Sequence, residues 1–147
     1  MREHLGYTVK SVSDHAHKEL SAPEVRDVFQ KTYLNKTSPF KLVDVSFIQK
    51  KDFFAVVTLE TGGQQREFSG TGNGRLDAVA NAIEQTTGMH FTLVHYSEHA
   101  LDNDTDSRAC CYVGLKWASG KETWGCGTHT DIIVAGVRAL VSAINNK

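Results

Sequence analysis

Neither sign of charge dominates this sequence: 16 Lys and Arg stand against 17 Asp and Glu, a formal net charge of −1 over 147 residues. Such near-cancellation leaves no single-signed field to hold a nucleic-acid backbone or an anionic membrane, so neither is an expected partner. Long apolar runs are also missing. The longest fall well short of the roughly 20 residues that a spanning helix needs. The opening Met1-Arg2-Glu3-His4-Leu5-Gly6 has no apolar core of the secretory-signal kind, and a cytoplasmic location is expected. Cysteine is scarce. Cys110, Cys111 and Cys126 form no CxxC metal pair, and adjacent cysteines rarely join each other, so reduced packing residues are expected.

What is present suffices for one globular domain plus a short extra element, with a hydrophobic content of 40% to build its core. Ser21-Ala22-Pro23-Glu24 fits a capping box with proline inside the first helical turn, and Val25, Val28 and Phe29 follow at helical spacing. This helix is expected to end near Tyr33. Asn35-Lys36-Thr37-Ser38-Pro39 has turn chemistry and no periodicity, as a linker would.

From Phe40 onward the sequence falls into two halves that read alike. Phe40-Lys41-Leu42-Val43 returns as Phe91-Thr92-Leu93-Val94, each opening a strand-like run. Phe53 to Leu59 alternates as a half-buried strand does, and its counterpart places Ala109, Cys111, Val113, Leu115 and Trp117 on one face. Turns follow at Thr61-Gly62-Gly63-Gln64 and at Ala118-Ser119-Gly120-Lys121. Each half then has a short strand ending in a glycine pair, Ser69-Gly70-Thr71-Gly72 or Trp124-Gly125-Cys126-Gly127, and a helix. Leu76, Val79, Ala80 and Ile83 form the apolar stripe of the first helix. Ile133, Gly136, Val137, Leu140, Val141 and Ile144 form that of the second. The expected fold is α/β (α+β): two βββα repeats in a pseudo-symmetric domain, preceded by a short helix.

Three motifs occur in order along this repeat: Gly72-Asn73-Gly74-Arg75-Leu76-Asp77-Ala78, Tyr96-Ser97-Glu98-His99-Ala100-Leu101, and Trp124-Gly125-Cys126-Gly127 with Asp131 and Ala135. Together they resemble the C-terminal regulatory domain of 2-isopropylmalate synthases and the related citramalate synthases, over roughly residues 40–145. The resemblance implies that residues 1–38 are the helical remnant of a linker subdomain. It makes 39–147 an effector-binding domain with repeats at about 39–88 and 89–147. It implies a homodimer whose paired units bind leucine or another branched-chain amino acid. That ligand would slow a catalytic barrel, attached in cis or in trans, which condenses acetyl-CoA with a 2-oxo acid. The divalent metal and acetyl-CoA would belong to that barrel, leaving this domain with no cofactor and no catalytic residues.

By the same resemblance the effector pocket is lined from Gly72, Asn73, Gly74 and Leu76, from Leu93, Tyr96 and Ala100, from Ser107 and Ala109, and from Thr128 and Thr130. The chain departs from the family pattern at Arg75, where proline is common, at Ser107, where a small apolar residue is common, and at Gly136, where serine is common. A free leucine brings a carboxylate, an ammonium and a branched tail. Gly70, Gly72 and Gly74 are expected to adopt conformations closed to other residues and to present backbone N–H groups to the carboxylate at a helix start. The glycine pairs could equally serve only to turn strand into helix.

Sharper readings fit less well. Gly70-Thr71-Gly72-Asn73-Gly74 has Arg75 where a dinucleotide fingerprint needs glycine or alanine, and it lacks the Gly-Lys-Ser/Thr ending of a P-loop. Asp102-Asn103-Asp104-Thr105-Asp106 spaces carboxylates like a calcium loop, but Ser107 replaces the glycine and Val113 the bidentate glutamate. A solvated loop closing near the effector is the better reading. His95 and His99 are expected on different faces of a strand and its exit, unsuited to zinc. Cys126 and His129, as thiol and base, lack a third orienting group. The functions in competition are therefore a leucine-binding regulatory domain, an isoleucine-sensing domain of a citramalate synthase, a ligand-free dimerisation module, and a small enzyme using Cys126.

Overall fold

The computed structural model describes residues 21–100 and 108–147; the segment before Ser21, the run from Asp102 to Asp106, and Ser107 lie outside the described residues. Helix α1 (Ala22–Tyr33) starts as its sequence dictates. The Ser21 side chain accepts the Glu24 N–H, the Glu24 carboxylate reaches back to the Ser21 N–H, and Pro23 sits in the first turn. Then come β1 (Lys41–Gln49), β2 (Phe53–Thr61), β3 (Gln64–Gly72) and α2 (Arg75–Thr87). The pattern repeats as β4 (Phe91–Ala100), β5 (Ala109–Trp117), β6 (Glu122–His129) and α3 (Ile132–Asn145). Each strand trio is an antiparallel sheet in sequential order, β1-β2-β3 and β4-β5-β6, so the two βββα units are present as expected. Gly62 and Gly63, both at positive φ, make the β2–β3 turn that matches the twist of the flanking strands. No helix among the described residues is long and apolar enough to cross a membrane.

The repeat extends to a detail that alternation alone does not reveal. In β1 the register slips between Leu42 and Asp44, and in β4 it slips between Leu93 and His95. Val43 and Val94 are thus matching bulge residues, and both are exposed. Each bulge reverses the facing of everything after it. Along β4, Phe91 and Leu93 oppose Trp117 and Leu115 on the helix-covered face, and beyond the bulge Tyr96, Glu98 and Ala100 oppose Val113, Cys111 and Ala109 on that same face.

This parity corrects one expectation. His95 and His99 do share a face, the one away from α3, because residues four apart in a strand point the same way. They stand about 13 Å apart along the strand. His95 packs on Trp124 and His99 on Tyr112. Among the described residues no group of three or more His, Cys, Asp or Glu could hold a metal ion.

The glycine pairs have a different purpose from the one anticipated. None of Gly70, Gly72 and Gly74 has a positive φ. A Cβ on Gly70 would lie 2.5 Å from the Ala82 nitrogen, and one on Gly72 would lie 2.6 Å from the Ala78 nitrogen. In the second unit the backbone of Ala139 and Ala143 crowds Gly125 still more closely, as Ala135 and Ala139 crowd Gly127. Missing side chains on β3 and β6, with alanines on the facing helix stripe, let each helix lie backbone to backbone on its sheet.

One continuous core results, running through Val57, Phe68, Val79 and Ile83 of the first unit and Val113, Leu115, Leu140 and Val141 of the second. Each such buried apolar side chain stabilises the fold by roughly 1.5–3 kcal/mol. A smaller cluster on the far face of β5 and β6 packs Tyr33, Cys110 and Cys126 with Phe29 and Tyr112 under α1. The three cysteines are free and buried, with the Cys110 and Cys126 sulfurs 2.9 Å apart. Side chains at the end of α3 secure the linker: Ser142 Oγ donates to the Tyr33 carbonyl, and Asn145 Nδ2 donates to the carbonyls of Lys36 and Phe40.

Two stability predictions follow from this packing. Gly125→Ala forces a side chain into the α3 backbone and should cost about 3 kcal/mol in urea unfolding. Gly136→Ala, whose Cβ would meet only the Tyr96 ring and hydroxyl at 3.5–4.0 Å, should gain about 0.5–1 kcal/mol through helix propensity. Burial, then hydrogen bonding to Cys110, pushes up the Cys126 thiol and the Tyr112 phenol. An acid raised in the folded state stays protonated while the unfolded chain ionises. Stability is therefore full below the ordinary thiol value of about 8.5 and declines as pH rises past it and past about 10. The urea midpoint should drop between pH 8 and 10.5, and less steeply in Cys126→Ala.

Candidate functional site

A cleft of about 470 Å³ opens where the two units meet, within the size range of small-molecule sites. The first unit contributes Phe53 of β2 and the start of α2, Gly74 to Asp77. The second contributes Leu93, Tyr96 and Glu98 of β4, together with Ile132, Ile133, Gly136 and Val137 of α3. Its walls are largely apolar. The charged groups on it are Arg75, Asp77 and Glu98.

Tyr96 is the centre of its polar geometry. The residue is 42% exposed, and its hydroxyl donates to Glu98 Oε2 at 2.9 Å and lies 3.6 Å from Cys111 Sγ. Gly136 leaves room for that ring: even a single Cβ there would be 3.5 Å from the hydroxyl oxygen. Burial chiefly, with the hydrogen bonds to Cys111 and Glu98, pushes the phenol well above its ordinary value. The hydroxyl therefore remains a donor throughout the physiological range. Across the cleft the Arg75 guanidinium lies over the Phe53 ring, 4.8 Å from its centroid. No carboxylate among the described residues pairs with it within 4 Å. Gly74 caps α2 without a side-chain hydrogen bond to the first turn.

Of the anticipated pocket residues, the cleft gathers Gly74, Leu76, Leu93 and Tyr96. Asn73 is exposed between Gly74 and the end of β3. Gly72 is pressed against α2. Ala100 and Ala109 pair with each other at the far end of the β4–β5 ladder, away from the cleft lining. Thr128 faces the other way and is held by Asn35, whose side chain both accepts from its N–H and donates to its Oγ1. Thr130 is exposed just before α3, and Ser107 is among the residues not described. Cys126 pairs with Tyr112 and His129 with Ala109, on opposite faces of the sheet, so they form no thiol–imidazole pair.

The cleft also holds residues that the family resemblance did not assign to the pocket: Phe53, Arg75, Asp77, Glu98 and the α3 residues. Glu98 could have been found by applying to β4 the bulge that the Phe-x-Leu-Val repeat shares with β1. Gly136, an unneeded helix breaker in an apolar stripe, was a signal of space wanted opposite it.

Comparison with known proteins identifies the family. The family model described as the LeuA allosteric (dimerisation) domain matches residues 19–147. The 2-isopropylmalate synthase of Desulfitobacterium hafniense (strain Y51) is 47% identical over 145 residues, covering 99% of this chain and 26% of that protein. That of Helicobacter hepaticus is 37% identical over 153 residues, covering 98% and 27%. That of Mycobacterium ulcerans is 35% identical over 131 residues, covering 86% and 23%. The chain thus spans about a quarter of the length of these relatives. With its two βββα units and a family match over most of its length, the chain belongs to the LeuA allosteric (dimerisation) domain family, the regulatory domain of 2-isopropylmalate synthases.

Proposed function

We propose that this domain binds leucine in the cleft between its two units and thereby imposes feedback inhibition on the condensation of acetyl-CoA with 2-oxoisovalerate. The observation that carries the reading is the cleft itself: an apolar hollow with charges at its margin, shared by both units, in a member of an allosteric domain family. Leu76, Leu93, Ile133 and Val137 offer a branched aliphatic tail a dry surface, worth about 2 kcal/mol on burial. Arg75, Asp77 and Glu98 offer partners for charged ends.

In this reading residues 1–38 are the tail of a helical linker and 39–147 the effector domain, acting in the cytoplasm as a homodimer. The chain has no catalytic site or cofactor of its own. The acyltransferase chemistry, with its divalent metal and acetyl-CoA, belongs to a barrel joined in cis or in trans. A second reading, a dimerisation module without effector, draws support from the outer face of β1 and β2, where Ile48 is 53% and Phe54 36% exposed. An isoleucine-sensing domain would use the same cleft.

Calorimetric titration with leucine should give saturable binding. Leucine at 100 times its dissociation constant should stabilise the fold by about 2.7 kcal/mol, read as a raised melting temperature. Gly136→Val, which pushes methyl groups against Tyr96, should abolish the response and leave the helical signal intact. Silence toward leucine, isoleucine and valine at millimolar concentration would leave the dimerisation module as the better account.

A further inference from the structure

We propose that Glu98 and Arg75 hold the two charged groups of the ligand directly, so that the cleft admits an unmodified α-amino acid and rejects the 2-oxo acid with the same side chain. This rests on the reading of the cleft as a branched-chain amino-acid site. Glu98 is an exposed carboxylate on the lining of the cleft. It lies on the helix-covered face of β4, in a row with Phe91, Leu93, Tyr96 and Ala100 and opposite buried Cys111. It is there only because the bulge at Val94 reverses the facing of the residues that follow, and bulges recur where a side chain must be re-aimed at a site. Once there, it is aimed: the Tyr96 hydroxyl donates to one carboxylate oxygen at 2.9 Å and leaves the other available.

Arg75 supplies the opposite charge. Resting on the Phe53 ring restrains the guanidinium at the cleft while its N–H groups, which have no carboxylate partner among the described residues, remain available for a bidentate anion. Asp77 also borders the cleft, but it stands in the first turn of α2, where the helix start already favours a negative charge.

A zwitterion satisfies both fixed groups. A 2-oxo acid gives Arg75 its carboxylate but turns carbonyl lone pairs toward Glu98, acceptor against acceptor. An amino-acid amide keeps the ammonium and gives up the anion. The domain would then answer to an amino acid and ignore the oxo acids from which transamination makes such amino acids.

The test is titration of the 147-residue chain with L-leucine, 4-methyl-2-oxopentanoate and L-leucinamide. The unaltered protein should bind leucine 10- to 100-fold more tightly than either analogue, the range for losing one charge-assisted hydrogen bond. Glu98→Gln, which keeps an acceptor for Tyr96, should erase the preference over the oxo acid and keep that over the amide. Arg75→Gln should do the reverse. Both side chains are exposed, and melting curves verify that the variants fold. Equal weakening of all three ligands, or loss of the oxo-acid discrimination in Asp77→Asn in place of Glu98→Gln, overturns the assignment while leucine binding by the unaltered chain upholds the effector reading. Failure of the unaltered chain to bind any branched-chain amino acid overturns both.

Discussion

Close contact between helix backbone and sheet backbone is the constraint on which the rest of this structure depends. At Gly70 and Gly72 in one unit, and Gly125 and Gly127 in the other, the strand has no side chain because the helix occupies that space. A helix seated this low cannot shift along its sheet without driving a Cβ into a peptide group. The start of each helix is thereby fixed relative to the strands. That is what a binding cleft needs from a scaffold, since its walls are then set by packing and not by loops. Arg75 and Leu76 at the start of α2, and Ile133 and Gly136 near the start of α3, reach one hollow because both helices are seated by the same device.

Much of this was legible in the sequence. The capping box at Ser21, the paired glycines of the β2–β3 turn and the apolar stripe of α3 each express a local rule that tertiary context did not override. The internal repeat gave the two units. What was not legible was parity after a bulge, because period-2 alternation contains no sign of an inserted residue unless two copies are compared. That inversion is what puts Glu98 on the helix-covered face, whereas His95 and His99, both beyond the bulge, share a face by their spacing alone. The glycine pairs misled for a related reason. A glycine needed for positive φ and one needed for close approach look the same in a sequence, and only the alanines at Ala78, Ala82, Ala135 and Ala139 hinted which applied here.

Face and position along the strand together divided the anticipated pocket residues: Ala100 and Ala109 share the helix-covered face but lie at the end of the ladder, outside the cleft lining. Gly74, Leu76, Leu93 and Tyr96 lie before a helix or on the helix-covered face, and the cleft includes them. Thr128 lies on the other face of β6, where its backbone and hydroxyl serve to tether Asn35 and the linker behind α1. Its neighbour Cys126 likewise faces α1, receiving the Asn35 N–H at its carbonyl. This far face of the second sheet is thus engaged in holding the linker, and the effector reading attaches to the opposite face.

A ligand can bias a conformational equilibrium only through contacts that differ between the two states. A site formed within one rigid helix-on-sheet unit would offer no such difference, however tightly it bound. This cleft is formed between units, from Phe53 and α2 on one side and from β4 and α3 on the other, and the two helices touch each other far less than each touches its own sheet. Packing between the two helices is therefore sparser than the packing of each helix on its own sheet. A zwitterion held by Arg75 from one unit and Glu98 from the other would span that boundary with two charge-assisted bonds and an apolar fill. Charge reading and regulation would then be one event, since the ligand that both charges recognise would itself be the link between the units.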